Sequence, residues 1–182
     1  MSKPKSAYSI PGKKQKNDTH VIVVWVDNEA GVLARVVGLF SGRGYNIESL
    51  AVAEVDATKN ISRITIVTTG TPQVIDQIKL QLKKLVPVHK VADFKREDKK
   101  DIFKEMALLK IVAQKKKIEK CLKECKKFNP VILDKTNKSV VVQITALRRE
   151  IDKMSKKLKP YGLTSTSRTG AIAMTRGAET FK

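Results

Sequence analysis

The chain has 182 residues and a net charge of +19, from 37 basic and 18 acidic residues. Hydrophobic residues make up 41% of the sequence, which is enough for a packed core and argues against global disorder. The apolar run at residues 21–26 is too short to cross a bilayer, and two cysteines do not make a disulfide scaffold.

The excess of positive charge lies mainly in residues 91–182, which hold 24 basic and 11 acidic residues. Such a distribution is typical of a lysine-rich solvated surface, of a surface for an acidic protein partner, or of a phosphate-binding surface. Lysine outnumbers arginine and aromatic residues make up 5% of the chain, whereas base readout and stacking favour arginine and aromatics. The sequence therefore favours a solvated surface and argues against nucleic acid as a partner.

Residues 1–19 combine prolines and lysines with almost nothing to bury, and we predict a flexible basic leader there. Residues 20–95 show regular hydrophobic periods that predict one domain of order βαββαβ. Its elements are expected as a buried strand at 21–26, a helix at 31–42, strands at 46–55 and 61–68, a helix beginning after the N-cap Thr71, and a strand at 88–94.

Residues 96–103 are mostly charged and predict a linker, after which residues 104–182 repeat the same order. Strands are expected at 107–112, 131–134, 139–144, 163–168 and 171–174, and helices within 118–125 and 147–158. Both units match the ferredoxin-like plan of an α+β fold, with helices on one face of each sheet. We expect the other face to be buried against a second copy of the chain.

The sequence contains no motif of a catalytic site. Glu48 and Glu54 lie on one predicted strand without a nearby histidine, which leaves a paired-carboxylate site unsupported. Cys121 and Cys125 are four residues apart on the apolar side of a predicted helix, so we expect two core thiols rather than metal ligands. No catalytic residue and no metal site are predicted.

The polar loop between the first strand and the first helix is the most informative segment. The first amides of a helix have no intrahelical acceptor and favour a carboxylate, and Gly31 permits close approach of a ligand to the backbone. Asn28 adds a side-chain amide, and Asn46 beside Ile47 supplies a second amide next to an apolar side chain. These residues suit the two charged ends of a free amino acid. The alternative, equally favoured by the chemistry, is that Asn28 caps the helix and Asn46 starts a strand.

Residues 36–50 read Val-Val-Gly-Leu-Phe-Ser-Gly-Arg-Gly-Tyr-Asn-Ile-Glu-Ser-Leu, and this run resembles the regulatory (small) subunit of acetolactate synthase. Residues 62–67, 81–88 and 168–177 are also similar to segments of that family. The resemblance covers residues 20–178 and implies an ACT domain at 20–95, followed by the family's C-terminal domain at 104–182.

The resemblance implies a non-catalytic protein that activates a thiamine-diphosphate-dependent catalytic subunit. It also implies feedback inhibition by valine or another branched-chain amino acid, bound where two ACT domains pair side by side. The implied effector-binding residues are Asn28, Ala30, Gly31, Val32 and Leu33 of one chain with Asn46 and Ile47 of the other. Ala30 replaces the Pro or Ser that the family often has before this glycine.

Thiamine diphosphate, magnesium and FAD are expected only in the catalytic partner, and this chain is expected to carry no cofactor. The two core thiols are consistent with a reducing cytoplasm, and no membrane partner is expected. The resemblance implies a homodimer. A basic nucleic-acid-binding protein and a stand-alone amino-acid sensor are the alternative functions. Salt-sensitive binding to generic nucleic acid would indicate the first, and ligand binding without a thiamine-enzyme partner the second.

Overall fold

The computed structural model describes residues 17–95 and 101–178, which form two consecutive units of strands and helices. The elements of the first unit are β1 (Asp18–Asp27), α1 (Val32–Ser41), β2 (Ser49–Asp56), β3 (Ile61–Gly70), α2 (Pro72–Leu82) and β4 (Val88–Lys95). Those of the second are β5 (Asp101–Val112), α3 (Lys115–Cys125), β6 (Val131–Lys135), β7 (Ser139–Ala146), α4 (Arg148–Leu158), β8 (Leu163–Arg168) and β9 (Ile172–Thr175). The predicted α+β class with two βαββαβ units is therefore confirmed.

Each unit contains an antiparallel sheet in which the first and third strands of the unit are neighbours. The first sheet has the order β2-β3-β1-β4, and the second has the order β6-β7-β5-β8, with β9 paired to the start of β5. The β2 strand therefore lies at one edge of the first sheet, next to β3, with β3 and β1 between it and β4.

Strand β1 is buried on both faces, which explains why its apolar run is continuous rather than alternating. Ile22, Val24 and Val26 pack with both helices of the first unit in one core, whereas Val21 and Val23 belong to a separate cluster on the far face of the sheet. The helices contribute buried stripes at helical spacing. These stripes are Val32, Val36, Leu39 and Phe40 in α1, and Ile75, Ile78 and Leu82 in α2.

The second unit has its own core between its sheet and its two helices. Leu109 and Ile111 of β5 face Ile118 of α3, and the two thiols lie in the same cluster. Cys121 and Cys125 are fully buried, so the prediction of core thiols is confirmed. A hydrogen bond to Cys125 and burial raise the pKa of Cys121, which keeps that thiol protonated.

The far face of the first sheet is covered by a two-stranded ribbon of the same chain, made of residues 101–104 and 172–175. Ala171 and Ala173 are buried against this face, and Phe103 meets Phe94 edge to face with ring centroids 6.4 Å apart. Arg63 of β3 donates a hydrogen bond to the Ala173 carbonyl and stacks on Trp25. For the first unit, the expectation that a second copy covers this face is therefore wrong.

The reason is the length of β5. Its residues 105–112 pair with β7 in the second sheet, and its first four residues extend beyond that sheet to reach the first unit with β9. The small size of each unit favours cover by a second copy, but the chain supplies this cover itself through residues 101–104 and β9. On the outer face of the second sheet, Val112 stays 47% exposed.

Two predicted boundaries also change. The linker predicted at 96–103 overlaps the described residues at 101–103, and these are strand rather than linker. The leader predicted at 1–19 ends earlier than expected because β1 begins at Asp18, and its residues 1–16 lie outside the described part of the chain. Strand β5 begins at Asp101, six residues before the predicted position 107. The prediction starts late because Lys104 and Glu105 interrupt the apolar pattern that marks a strand.

Candidate functional site

The turn between β1 and α1 is fixed by backbone hydrogen bonds to neighbouring loops. The Asp27 N–H donates to the Pro87 carbonyl at 3.0 Å, and the Asn28 N–H donates to the Asn60 carbonyl at 2.7 Å. The Asp27 carboxylate also pairs with His89 at 2.6 Å. The chain then enters α1 through Gly31, whose φ of +84° is a conformation that glycine adopts without steric cost.

Helix α1 begins without a side-chain cap from any described residue. The Val32 N–H donates to the Glu29 carbonyl at 3.3 Å, and the Arg35 N–H donates to the Gly31 carbonyl at 3.0 Å. The amides of Leu33 and Ala34, which lie between them, have no acceptor within the helix. Gly31 and Leu33 are exposed, and a Cβ at Gly31 would meet no atom within 4 Å. The positive end of the helix dipole therefore faces open space.

Asn28 does not cap this helix, so that alternative is wrong. Its Oδ1 accepts a hydrogen bond from the Ser62 hydroxyl at 2.9 Å, which orients the amide plane. The Nδ2 group is then the half of the amide that is left to donate, and the residue is exposed. An oriented amide donor beside free helix amides is an arrangement that suits a carboxylate.

The other predicted effector-binding residues of this turn differ in how exposed their side chains are. Ala30 and Leu33 are exposed, with Leu33 at 40%, whereas the Val32 side chain is 3% exposed and packs in the first core. The Val32 side chain is therefore closed to a ligand, and its N–H already donates to the Glu29 carbonyl. Leu33 is the apolar side chain that this turn presents to the surface.

The second half of the predicted site lies between α1 and β2. Asn46 is exposed, and its carbonyl accepts a hydrogen bond from the Thr68 hydroxyl at 2.7 Å. Ile47 is half-buried against the first core. Strand β2 begins at Ser49, three residues after the predicted start, so Asn46 precedes the strand rather than starting it.

One chain does not bring the two halves together. Asp27 at the end of β1 pairs with Ile61 of β3, whereas Ser49 at the start of β2 pairs with Val67. At about 3.3 Å per residue, these two positions are about 20 Å apart along β3. The turn at Gly31 and the segment at Asn46 therefore lie at opposite ends of the sheet.

Sequence reasoning missed Ser62 and Thr68, which hold Asn28 and the Asn46 backbone in place. Both lie in β3 among apolar residues and are buried in the structure. A hydroxyl residue inside a predicted buried strand needs a hydrogen-bond partner, and this was the signal that could have identified them. Their partners follow from the register of β3 against its neighbours, which a single sequence does not reveal. The buried pair of His20 with Asp93, at 2.8 Å, was missed for the same reason.

The paired-carboxylate alternative receives no support from the described residues. Glu48 and Glu54 are both exposed, and the Glu48 carboxylate accepts a hydrogen bond from Thr69. Residues 17–95 and 101–178 contain no group of three His, Cys, Asp or Glu residues placed to hold a metal ion. Within the same ranges, no helix has the length and apolar character needed to cross a membrane.

Two family models match the chain, one on each unit. Residues 22–90 match the AHAS small subunit-like ACT domain, and residues 104–177 match the small subunit of acetolactate synthase. The chain belongs to the acetolactate synthase small-subunit family. It is a regulatory ACT-domain subunit rather than the catalytic subunit of that enzyme.

Relatives within the family match this chain over 81% or more of their own length. The acetolactate synthase small subunit of Aquifex aeolicus is 37% identical over 158 residues, which cover 86% of this chain and 81% of the relative. The probable small subunit of Methanothermobacter thermautotrophicus is 35% identical over 164 residues, covering 90% and 96%. The crystal structure of the small subunit from Thermotoga maritima superposes with a TM-score of 0.78 at 31% identity, covering 88% of this chain and 99% of the other.

Proposed function

We propose that this small subunit binds a branched-chain amino acid in a seam between two copies of its ACT domain. We further propose that occupancy of the seam controls how the subunit activates its catalytic partner. The observation that carries the proposal is the uncapped, exposed start of α1 at Gly31 beside the oriented amide of Asn28. A small-subunit family with an ACT domain is the setting in which such a site would regulate an enzyme.

The chemistry of the turn matches the carboxylate end of an amino acid. Free amides at a helix N-terminus favour an anion by about 0.3–1 kcal/mol, or up to about 2 kcal/mol when partly buried. The Asn28 Nδ2 group adds a donor, since its Oδ1 is already used by Ser62. Leu33 supplies an exposed apolar side chain beside these donors.

The ammonium end needs an acceptor, and Asn46 of the second copy is the residue we assign to it. Strand β2 is an edge of the first sheet and exposes Val52 and Val55, at 44% and 52%. Antiparallel pairing of two β2 edges about a two-fold axis places the start of one β2 at the end of the other. Asn46 and Ile47 of one copy then lie at the Gly31 end of its partner's sheet.

The size of the ligand limits affinity and selectivity. At about 1.5 kcal/mol per heavy atom as a ceiling, an amino acid of about eight heavy atoms is expected to bind with a Kd between micromolar and millimolar. One methylene separates valine from leucine or isoleucine and changes binding by about 1–3 kcal/mol. Valine is the effector we propose first, with its larger homologues as competitors.

The partner we propose is the catalytic large subunit of acetolactate synthase, because relatives of this chain are named small subunits of that enzyme. We assign thiamine diphosphate, magnesium and FAD to that catalytic subunit and no cofactor to this chain. The small subunit then acts through contact and conformation alone.

Two substitutions test the site. Asn28→Ala removes the amide donor, and Gly31→Asp places a carboxylate where the ligand carboxylate would lie, at a left-handed position that aspartate tolerates better than most residues. With the reconstituted enzyme, each variant is expected to raise the half-inhibitory valine concentration at least about tenfold, a loss of about 1.4 kcal/mol. Activation without valine should be largely retained, because the exposed turn lies outside the core.

Gly177→Asp is the matched control. Gly177 also has a positive φ, of +73°, and open space around the position of a Cβ, but it lies near the end of the second unit. This variant should respond to valine like the parent. Unchanged valine inhibition in both Asn28→Ala and Gly31→Asp would reject the proposed site.

A further inference from the structure

The segment at residues 46–50 has two neighbours of different kinds. Its first two residues, Asn46 and Ile47, belong to the effector site proposed above. The next three residues contact the second unit of the same chain. A single short segment thus connects the proposed seam to the C-terminal unit.

The contacts on that side are specific. The Arg148 guanidinium, in the first turn of α4, donates to the Glu48 carbonyl at 3.2 Å. The Ala171 N–H donates to the Ser49 hydroxyl at 3.4 Å. Gly170 has a φ of +82°, which favours glycine, and a Cβ there would lie 2.6 Å from the Ser49 Oγ and displace that hydroxyl.

The second-unit side of this contact is tied together internally. Arg168 forms a two-pronged ion pair with buried Glu105, at 2.7 and 2.8 Å, and a third bond to Asp152 of α4 at 2.6 Å. Arg168 is two residues before Gly170, and Asp152 is one helical turn after Arg148. Charge-assisted hydrogen bonds therefore connect the first turns of α4 to the turn at 168–171.

On the side of the first unit, the segment at residues 46–50 is hydrogen-bonded to β3. The Glu48 N–H donates to the Val67 carbonyl at 2.8 Å, and the Asn46 carbonyl accepts from Thr68. A surface cavity of about 270 Å³ is lined by both sides of the contact, including Glu48, Arg148 and Gly170. The contact therefore combines a few hydrogen bonds with the buried Ala171, and it lies beside a cavity that leaves room for a second arrangement of the hydrogen-bonded side chains.

We propose that this contact carries effector occupancy from the ACT seam to the C-terminal unit. We call it the joint and define it as Glu48 and Ser49 on one side and Arg148, Gly170 and Ala171 on the other. The proposal rests on the proposed function, because it assumes a ligand at Asn46 and Ile47. A ligand that binds one arrangement of the segment at 46–50 more tightly shifts the joint toward that arrangement.

The test uses the full chain, alone and reconstituted with its catalytic subunit, and the double variant Ser49→Ala with Arg148→Ala. The control is Ser165→Ala with Arg149→Ala, which removes the same two side-chain types at exposed positions of β8 and α4. Calorimetry measures valine binding, and amide hydrogen exchange follows residues 28–34, 46–47, 147–151 and 168–171. Valine inhibition is measured on the reconstituted enzyme.

In the parent and the control, valine should slow exchange at the seam and change it at least about threefold at residues 147–151 and 168–171. In the joint variant, the valine Kd should stay within about threefold and protection at residues 28–34 should persist. The response at residues 147–151 and 168–171 should disappear, and maximal inhibition should fall by about half or more.

The joint is contradicted if valine still alters residues 147–151 and inhibits fully in the double variant. It is equally contradicted if valine protects the parent's seam without any response in the second unit. Failure of the proposed function gives a different result. Valine, leucine and isoleucine would then produce no heat of binding in the parent and no slowing of amide exchange at residues 28–34. That result would reject the proposed function, and it would also reject this inference because the joint would have no ligand to respond to.

Discussion

At the scale of single residues, the buried carboxylate of Glu105 organises the second unit. It is 3% exposed and meets the Arg168 guanidinium through two charge-assisted hydrogen bonds. The hydrogen bond to Glu105, more than the one to Asp152, raises the pKa of Arg168, so the guanidinium stays charged. This pair fixes the end of β8 to β5, and the turn at Gly170 follows directly.

Glu105→Ala should lower the free energy of unfolding of the chain by about 3 kcal/mol, near the low end for breaking a buried ion pair. The low end is expected because Arg168 keeps its bond to Asp152. Urea denaturation measures the change, with the exposed Glu119→Ala as the control, expected within about 0.5 kcal/mol of the parent. A loss of less than about 1 kcal/mol in Glu105→Ala would show that the pair contributes little.

Residue-level chemistry was partly predictable. The glycine turn and the oriented amide follow from the residue types at positions 28 and 31, and the structure places both at the exposed start of α1. The choice between a helix cap and a free amide needed the position of Ser62, which is 34 residues away in sequence. The pairing of Glu105 with Arg168 likewise depends on the register of β5 and β8.

At the scale of elements, the ribbon of residues 101–104 and 172–175 is one of two contacts that join the two units, the joint being the other. It covers Val21, Val23 and Phe94 on the far face of the first sheet. The alternation within β9 is clear, since Ala173 is 3% exposed and Ile172 is 54% exposed. Neighbouring residues of this strand thus face the first unit and the solvent in turn.

Ala173→Glu should detach or strain the ribbon because it forces a larger, charged side chain into the packed face of the first sheet. We expect a loss of at least about 2 kcal/mol in unfolding free energy and an increase in the binding of a hydrophobic dye. Ile172→Glu adds the same charge on the exposed side and should change stability by no more than about 0.5 kcal/mol. Similar losses in both variants would contradict a ribbon that packs through one face.

The elements themselves were predictable where the hydrophobic period is intact. The stripe of Ile151, Met154 and Leu158 marks α4, and the continuous run at 21–26 marks a strand buried on both faces. The start of β5 was not predictable, because Asp101, Lys104 and Glu105 break the apolar pattern. Residues 101–104 are strand because they pair with β9, which is about 70 residues away, and Glu105 is strand because it pairs with β7.

At the scale of the whole molecule, the cover of the first sheet leaves β2 as an edge that a second copy can extend. Covering the far face within one chain does not use this edge, which still exposes Val52 and Val55. The two halves of the proposed site are about 20 Å apart in one chain, so the account requires a second copy. The order of elements predicted the fold of each unit, but the arrangement of units depends on contacts that no local pattern encodes.

The central claim is that the Gly31 turn of one copy and Asn46 of another form one ligand site. Mixed dimers test it directly, because a dimer that pairs an Asn28→Ala chain with an Asn46→Ala chain has one site with both changes and one with neither. Each variant alone should bind valine at least about tenfold more weakly than the parent by calorimetry. Mixed dimers purified through two different affinity tags should regain about one parent-like site for every two in the parent dimer. If the mixed dimer binds valine no better than the variants alone, or if either variant alone binds it like the parent, the ligand does not bridge two copies and the account is wrong.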